Sequence, residues 1–160
     1  MCSVLTDKEL SQQAKDYFSQ IRKTDRLIQR LKGTVAILRS SLTSQSYELK
    51  PDKVQSSGGQ NPLEDAMIKI VDLERQISHR IDELATMRNE TFSMIKNVPD
   101  LDQQNILIGR YIQLKEWPDI ASELNFSPKW VLKLHGKALL EFSKGNQEFF
   151  EKRLKATNEG

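Results

Sequence analysis

Apolar and small residues near the start of the chain recur in alternating steps of four and three. The positions are Leu10, Ala14, Tyr17, Ile21, Thr24, Ile28, Leu31, Val35, Leu38 and Leu42. A 3.5-residue period keeps one side of a helix facing a partner helix. We therefore predict a helix from about Asp7 to Leu42, within an N-terminal coiled-coil segment at 1–43, that packs against another helix.

A second series with the same spacing follows later in the chain. Its positions are Ala66, Ile70, Leu73, Ile77, Arg80 or Ile81, Leu84, Met87, Thr91, Met94 and Val98. Asn61 can cap the start of a helix through its side-chain oxygen, and Pro62 suits the first helical position. Pro99 ends the pattern, so the sequence predicts a second coiled-coil helix over 62–98.

Between the two series, residues 44–61 show no helical period and contain Pro51, Gly58, Gly59 and several serines. This composition predicts a flexible linker. A linker of this length lets the two helices form an antiparallel hairpin within one chain. Parallel pairing between two copies fits the pattern almost as well.

Beyond Pro99 the heptad period is lost, and prolines and polar caps divide the chain into short helical segments. The first is predicted at about 101–115, and the second opens at Trp117 with Pro118 in its first turn. Asn125 tolerates the left-handed conformation that allows a sharp turn, and Ser127 can cap a third segment. The sequence predicts an all-α protein with a C-terminal three-helix domain at 99–160.

The second and third segments fit the helix-turn-helix pattern. That pattern asks for a small residue in the first helix, a turn residue four positions later and a β-branched residue six beyond that. Ala121, Asn125 and Val131 occupy these positions. A helix-turn-helix places its second helix in the major groove of DNA.

The third segment carries a concentration of basic residues. Lys129, Lys133 and Lys137 are spaced by four and lie on one side of a helix, opposite Val131 and Leu134. Residues 128–144 hold four Lys and one Glu, whereas the whole chain has a net charge of only +2. These ammonium groups are suited to DNA phosphates or to guanine O6 and N7.

Residues 107–142 resemble region 4 of bacterial sigma-70 factors, and more closely the small sigma-region-4-like regulators of Gram-positive phages, the family of late transcription activators and streptococcal phage proteins. The resemblance lies in Arg110-Tyr111, in the Trp117–Ala121 segment and in the Leu134–Leu139 segment, and it covers about a quarter of the chain. A coiled helix before the motif, such as 62–98, is also similar to that family.

By position, the resemblance implies a set of DNA-binding residues on the third helix. They are Ser127, Lys129, Trp130, Lys133 and Lys137. Sigma-type recognition helices usually offer Arg and Glu where this chain has Pro128, Lys129, Trp130 and Leu132. We therefore expect few base-specific hydrogen bonds.

Other classes of function find little support in the 160 residues. Cys2 is the single cysteine and His79 and His135 are the only histidines, which makes a Cys/His metal site improbable. No Gly-rich phosphate loop or catalytic triad pattern is present, so we expect no enzyme, no catalytic residue and no cofactor. No apolar run is long enough for a membrane span and no signal peptide is visible, which predicts a cytosolic protein. The resemblance to phage regulators implies that this is the cytoplasm of the bacterial host cell.

Together with the helix-turn-helix pattern and the lysines, the resemblance implies a phage-type DNA-binding transcriptional regulator that binds double-stranded DNA. The coiled-coil helices would form a homodimer or contact RNA polymerase or another protein. The alternative is a helical phage interaction protein that uses the helix-turn-helix as a scaffold. In that case Trp130, Leu132, Phe149 and Phe150 would bind a host protein or a repressor.

Overall fold

The structure is a computed structural model that describes residues 4–48 and 61–160, with the side chains of 4–44 and 61–160. Within these residues there is no strand, which confirms the all-α prediction. The elements are α1 (Asp7–Glu48), α2 (Pro62–Ile95), α3 (Leu101–Leu107), a π-helical turn (Ile108–Ile112), α4 (Trp117–Leu124), α5 (Pro128–Gly145) and α6 (Gln147–Asn158).

Helix α1 begins at Asp7, as predicted, behind a capping box. The Glu9 carboxylate accepts a hydrogen bond from the Thr6 amide at 2.8 Å, and the Glu9 amide donates to the Thr6 hydroxyl at 3.3 Å. The helix continues to Glu48, so the prediction that 44–48 belong to the linker is wrong. Between Gly33 and Pro51 the sequence has no Gly or Pro that would interrupt the helix. The rest of the predicted linker, 49–60, lies outside the described residues.

Helix α2 begins at Pro62, as its capping signal predicts. The Leu63 amide donates to the Asn61 side-chain oxygen at 3.1 Å. The helix ends at Ile95, three residues before the predicted end, and a hydrogen-bonded turn from Val98 N to Ile95 O at 2.9 Å follows it.

The chain divides into two compact units, one formed by 24–84 and the other by the chain before residue 24 together with 85–160. In the first unit, the predicted heptad positions Ile28, Val35, Ile70 and Leu84 are buried. An ion pair between Arg39 and Glu74 joins its two helical segments. Contact between these segments within one chain fits the hairpin prediction, while pairing between two copies stays a prediction.

In the second unit, the start of α1 packs against the C-terminal helices. Phe18 is fully buried and stacks on Tyr111, with ring centroids 4.1 Å apart, and its ring packs tilted against Phe142 at 4.4 Å. The Tyr17 hydroxyl shares a hydrogen bond with the buried Thr91 hydroxyl at 2.8 Å. The predicted domain boundary at residue 99 is therefore not a boundary of the compact unit, because these rings share one core.

Two further features differ from the simple helical prediction for 99–160. The predicted segment 101–115 is α3 followed by the wider π-helical turn, and it ends where Leu114 takes a left-handed φ of 56°. Helix α5 stops at Gly145, and the buried Asn146 separates it from α6. The Asn146 side chain donates to the carbonyls of Phe142 at 2.8 Å and Met94 at 3.1 Å.

Candidate nucleic-acid interface

Helices α3, α4 and α5 share a small apolar core within the second unit. Its buried members are Ile106, Ile120, Ala121, Val131 and Leu134, and the partly buried Trp117, Leu124 and Phe126 pack against them. Ala121 and Val131 therefore occupy the places that the helix-turn-helix pattern assigns to them. The small Ala121 side chain suits the point where two helices approach closely.

The turn between α4 and α5 has the predicted conformation. Asn125 has φ 56° and ψ 38°, which is left-handed, and it ends α4. The Phe126 amide then donates to the Ala121 carbonyl at 3.0 Å, which closes the turn. The Phe126 ring packs on the small core and fills the corner between the helices.

Ser127 caps α5, as predicted, because its hydroxyl oxygen accepts a hydrogen bond from the Trp130 amide at 3.2 Å. Pro128 occupies the first turn, where its missing N–H costs nothing. Since a serine hydroxyl is also a donor, the capping bond leaves its proton available to an external acceptor. Ser127 can thus cap α5 and donate a hydrogen bond to a phosphate at the same time.

The predicted DNA-binding residues lie together on the exposed side of α5. We call Ser127, Lys129, Trp130, Lys133 and Lys137 the lysine face; all five are exposed. Val131, Leu134 and Ala138 are buried on the opposite side. The structure therefore leaves the lysine face uncovered by the described residues of the chain.

The three ammonium groups of the lysine face have no ion pair with any described carboxylate. Instead, the Lys133 and Lys137 nitrogens lie 5.6 and 5.9 Å from the centre of the Trp130 ring. Such cation–π contacts hold the two cations near the aromatic ring while leaving them charged. Two ammonium groups beside an aromatic ring are suited to an anionic partner that also carries flat rings or methyl groups.

A cluster that sequence reasoning did not find supports the start of α4. The Glu116 carboxylate accepts hydrogen bonds from Arg22 at 2.9 Å and from Arg110 at 3.1 Å, and these two guanidinium groups lower the pKa of Glu116. Arg110 also lies over the Trp117 ring at 4.4 Å. Arg22 belongs to α1, so no local pattern could have indicated its contact with residue 116.

His135 is part of this supporting core rather than of the lysine face. It shares a hydrogen bond with the Tyr111 hydroxyl at 2.7 Å and contacts the Trp117 ring. Burial, reinforced by the positive charges of Arg110 and Lys15, lowers the pKa of His135 to about 4. Burial also raises the pKa of Tyr111 to about 12. Both groups are therefore neutral near pH 7.

Among the described residues, no group of three or more His, Cys, Asp or Glu side chains is arranged to hold a metal ion. None of the described helices combines the length and apolar character that crossing a membrane requires. Comparison of the chain with protein-family models, with curated proteins and with solved structures finds no significant match.

Proposed function

We propose that this protein is a phage-type DNA-binding transcriptional regulator whose helix α5 enters the major groove. The observation that carries the proposal is the lysine face, which is exposed, rich in unpaired cations and borne by the second helix of a helix-turn-helix core. That helix is the one which reads DNA in proteins built on this motif.

The chemistry of the lysine face suits phosphate more than base edges. Lys129, Lys133 and Lys137 are point charges that neutralise phosphates, and each can also donate to guanine O6 or N7. The Ser127 hydroxyl is placed at the N-terminus of α5, where anions are stabilised by the helix dipole. Trp130 can contact a thymine methyl or a sugar. Affinity then depends strongly on salt, and discrimination between sequences is modest.

Two copies of the chain would bind two half-sites on double-stranded DNA. The exposed sides of the long helices α1 and α2 would form the homodimer interface or contact RNA polymerase. The bacterial host cytoplasm, where phage transcription takes place, is the proposed location.

The test is a fluorescence anisotropy titration with a labelled duplex library at low salt. The variant Lys129→Ala/Lys133→Ala should bind about tenfold more weakly than the wild type, since it loses two phosphate contacts. Lys32→Ala/Lys69→Ala is the matched control, because it removes two exposed lysines and the same charge. Equal weakening by both variants, or none by either, would contradict the proposal.

One observation favours a second candidate function, a protein-binding role for the same helix. Trp130 and Leu132 are 41% and 51% exposed, and exposed tryptophan is enriched at protein interfaces. Phe149 and Phe150, also considered for this role, instead pack on the Tyr17 ring at 5.6 and 5.8 Å. Binding to a protein partner should be lost in Trp130→Ala and retained in Lys129→Ala/Lys133→Ala. DNA binding, in contrast, should be weakened in Lys129→Ala/Lys133→Ala.

A further inference from the structure

Helix α2 has a second apolar stripe that the core of its unit does not use. Met67, Ile68 and Val71 are 51%, 54% and 42% exposed, whereas Ile70 on the other side of the helix is buried. Together with Glu64, Asp72 and Arg75, these three side chains line a shallow groove of about 310 Å³. We call these six residues the outer stripe; all lie within the unit 24–84.

The outer stripe has the spacing of a helix-pairing surface. Glu64, Ile68, Val71 and Arg75 are separated by four, three and four residues, the same alternation as the buried heptad positions of α2. Scattered apolar residues on a surface need no partner, but Ile68 and Val71 are at heptad spacing and Met67 extends their apolar surface, which indicates a place for another helix.

The order of residues in the outer stripe makes it complementary to itself. If two copies of α2 lie antiparallel about a two-fold axis between residues 69 and 70, Ile68 faces the partner's Val71 and Glu64 faces the partner's Arg75. The symmetry repeats each contact, which gives two apolar layers between two ion pairs. Neither Glu64 nor Arg75 has an ion pair within the described residues, so both charges are free for this contact.

We propose that the outer stripe binds the outer stripe of a second copy of this chain in this antiparallel register. Three apolar side chains from each copy cover less than the roughly 1,000 Å² of a stable interface, so the dimer is weak and depends on concentration. The inference rests on α2 alone and holds whether or not the lysine face binds DNA. If both surfaces act, two linked half-sites strengthen binding without any new contact to DNA.

The first test is sedimentation equilibrium of the full chain over a range of concentrations. We expect a monomer–dimer equilibrium that Ile68→Asp abolishes, since a charge would replace an apolar layer. Ile37→Asp is the matched control, because Ile37 is also an exposed isoleucine, at 67% against 54% for Ile68, and lies on α1 of the same unit. A wild-type chain that is monomeric at every concentration, or equal effects of the two variants, would overturn the proposal.

The second test examines the register and needs no apolar substitution. Glu64→Arg and Arg75→Glu each place like charges opposite one another and should raise the dissociation constant about tenfold. The double variant restores both ion pairs with reversed sign, so its dissociation constant should return to within about twofold of the wild type. A double variant no tighter than the single variants would refute the antiparallel contact. Unfolding of the monomer by these changes would instead show that the chain itself covers the stripe, which also overturns the proposal.

Discussion

Replacing Gly145 with alanine should destabilise the unit formed by 4–23 and 85–160. A Cβ atom at this position would lie 2.8 Å from the Asn97 carbonyl oxygen and 3.1 Å from the Asn97 Cβ atom. Asn97 cannot move away easily, because its side chain donates to Asn146 at 2.8 Å. Overpacking costs about 2 to 3 kcal/mol and weakening this partly buried hydrogen bond about 1 kcal/mol, while alanine gains at most about 1 kcal/mol of helix propensity. The net loss is therefore about 2 to 3 kcal/mol.

Gly136 provides the matched control in the same helix. An added Cβ there meets no atom within 4 Å, so Gly136→Ala should stabilise α5 by about 0.5 to 1 kcal/mol through helix propensity alone. Urea unfolding followed by far-UV circular dichroism measures both changes, and the two variants should differ by about 3 kcal/mol. If Gly145→Ala is as stable as Gly136→Ala, the close approach of α5 to Asn97 is wrong.

Substitutions at three other residues, His135, Asn125 and Ser127, test the supporting core and the turn. Because burial lowers the pKa of His135 to about 4, the unfolded chain takes up a proton below about pH 6.5 and the folded chain does not. Acidification from about pH 7 to 5 should therefore cost about 2 kcal/mol, and His135→Gln should remove that part of the loss in urea titrations at each pH. Asn125→Ala should cost about 1 kcal/mol at its left-handed φ, whereas Asn125→Gly should cost nothing, as thermal unfolding will show. Ser127→Ala should lower stability by about 1 kcal/mol through loss of the α5 cap. Ser122→Ala, at an exposed position of α4, should leave stability unchanged.

The sequence was sufficient to predict those helix ends and turns that are determined by residues close together in the chain. The Asn61 and Ser127 caps and the left-handed Asn125 are local devices, and the structure confirms each of them. Of the ten heptad positions predicted on α1, six are buried and the other four are half-buried, because a 3.5-residue period leaves only one side of a helix for the core. Exposure of the lysine face follows from the same reasoning applied to α5.

The remaining features depend on contacts between residues distant in the sequence. Phe18 lies outside the heptad series, and its contacts with the distant Tyr111 and Phe142 rings explain its complete burial. The contact of Arg22 with Glu116 joins α1 to the start of α4 for the same reason. The π-helical turn at Ile108–Ile112 has no signal of its own, since it differs from an α-helix by one residue in the hydrogen-bond span.

The most direct test of the DNA-binding proposal is the slope of log affinity against log salt concentration. Each phosphate contact contributes about 0.9 to this slope, so Lys129→Ala/Lys133→Ala/Lys137→Ala should reduce it by about 3. The control Lys8→Ala/Lys32→Ala/Lys69→Ala removes three exposed lysines from other helices and should leave the slope unchanged. Equal slopes for the wild type and both triple variants would contradict the assignment of the lysine face to DNA.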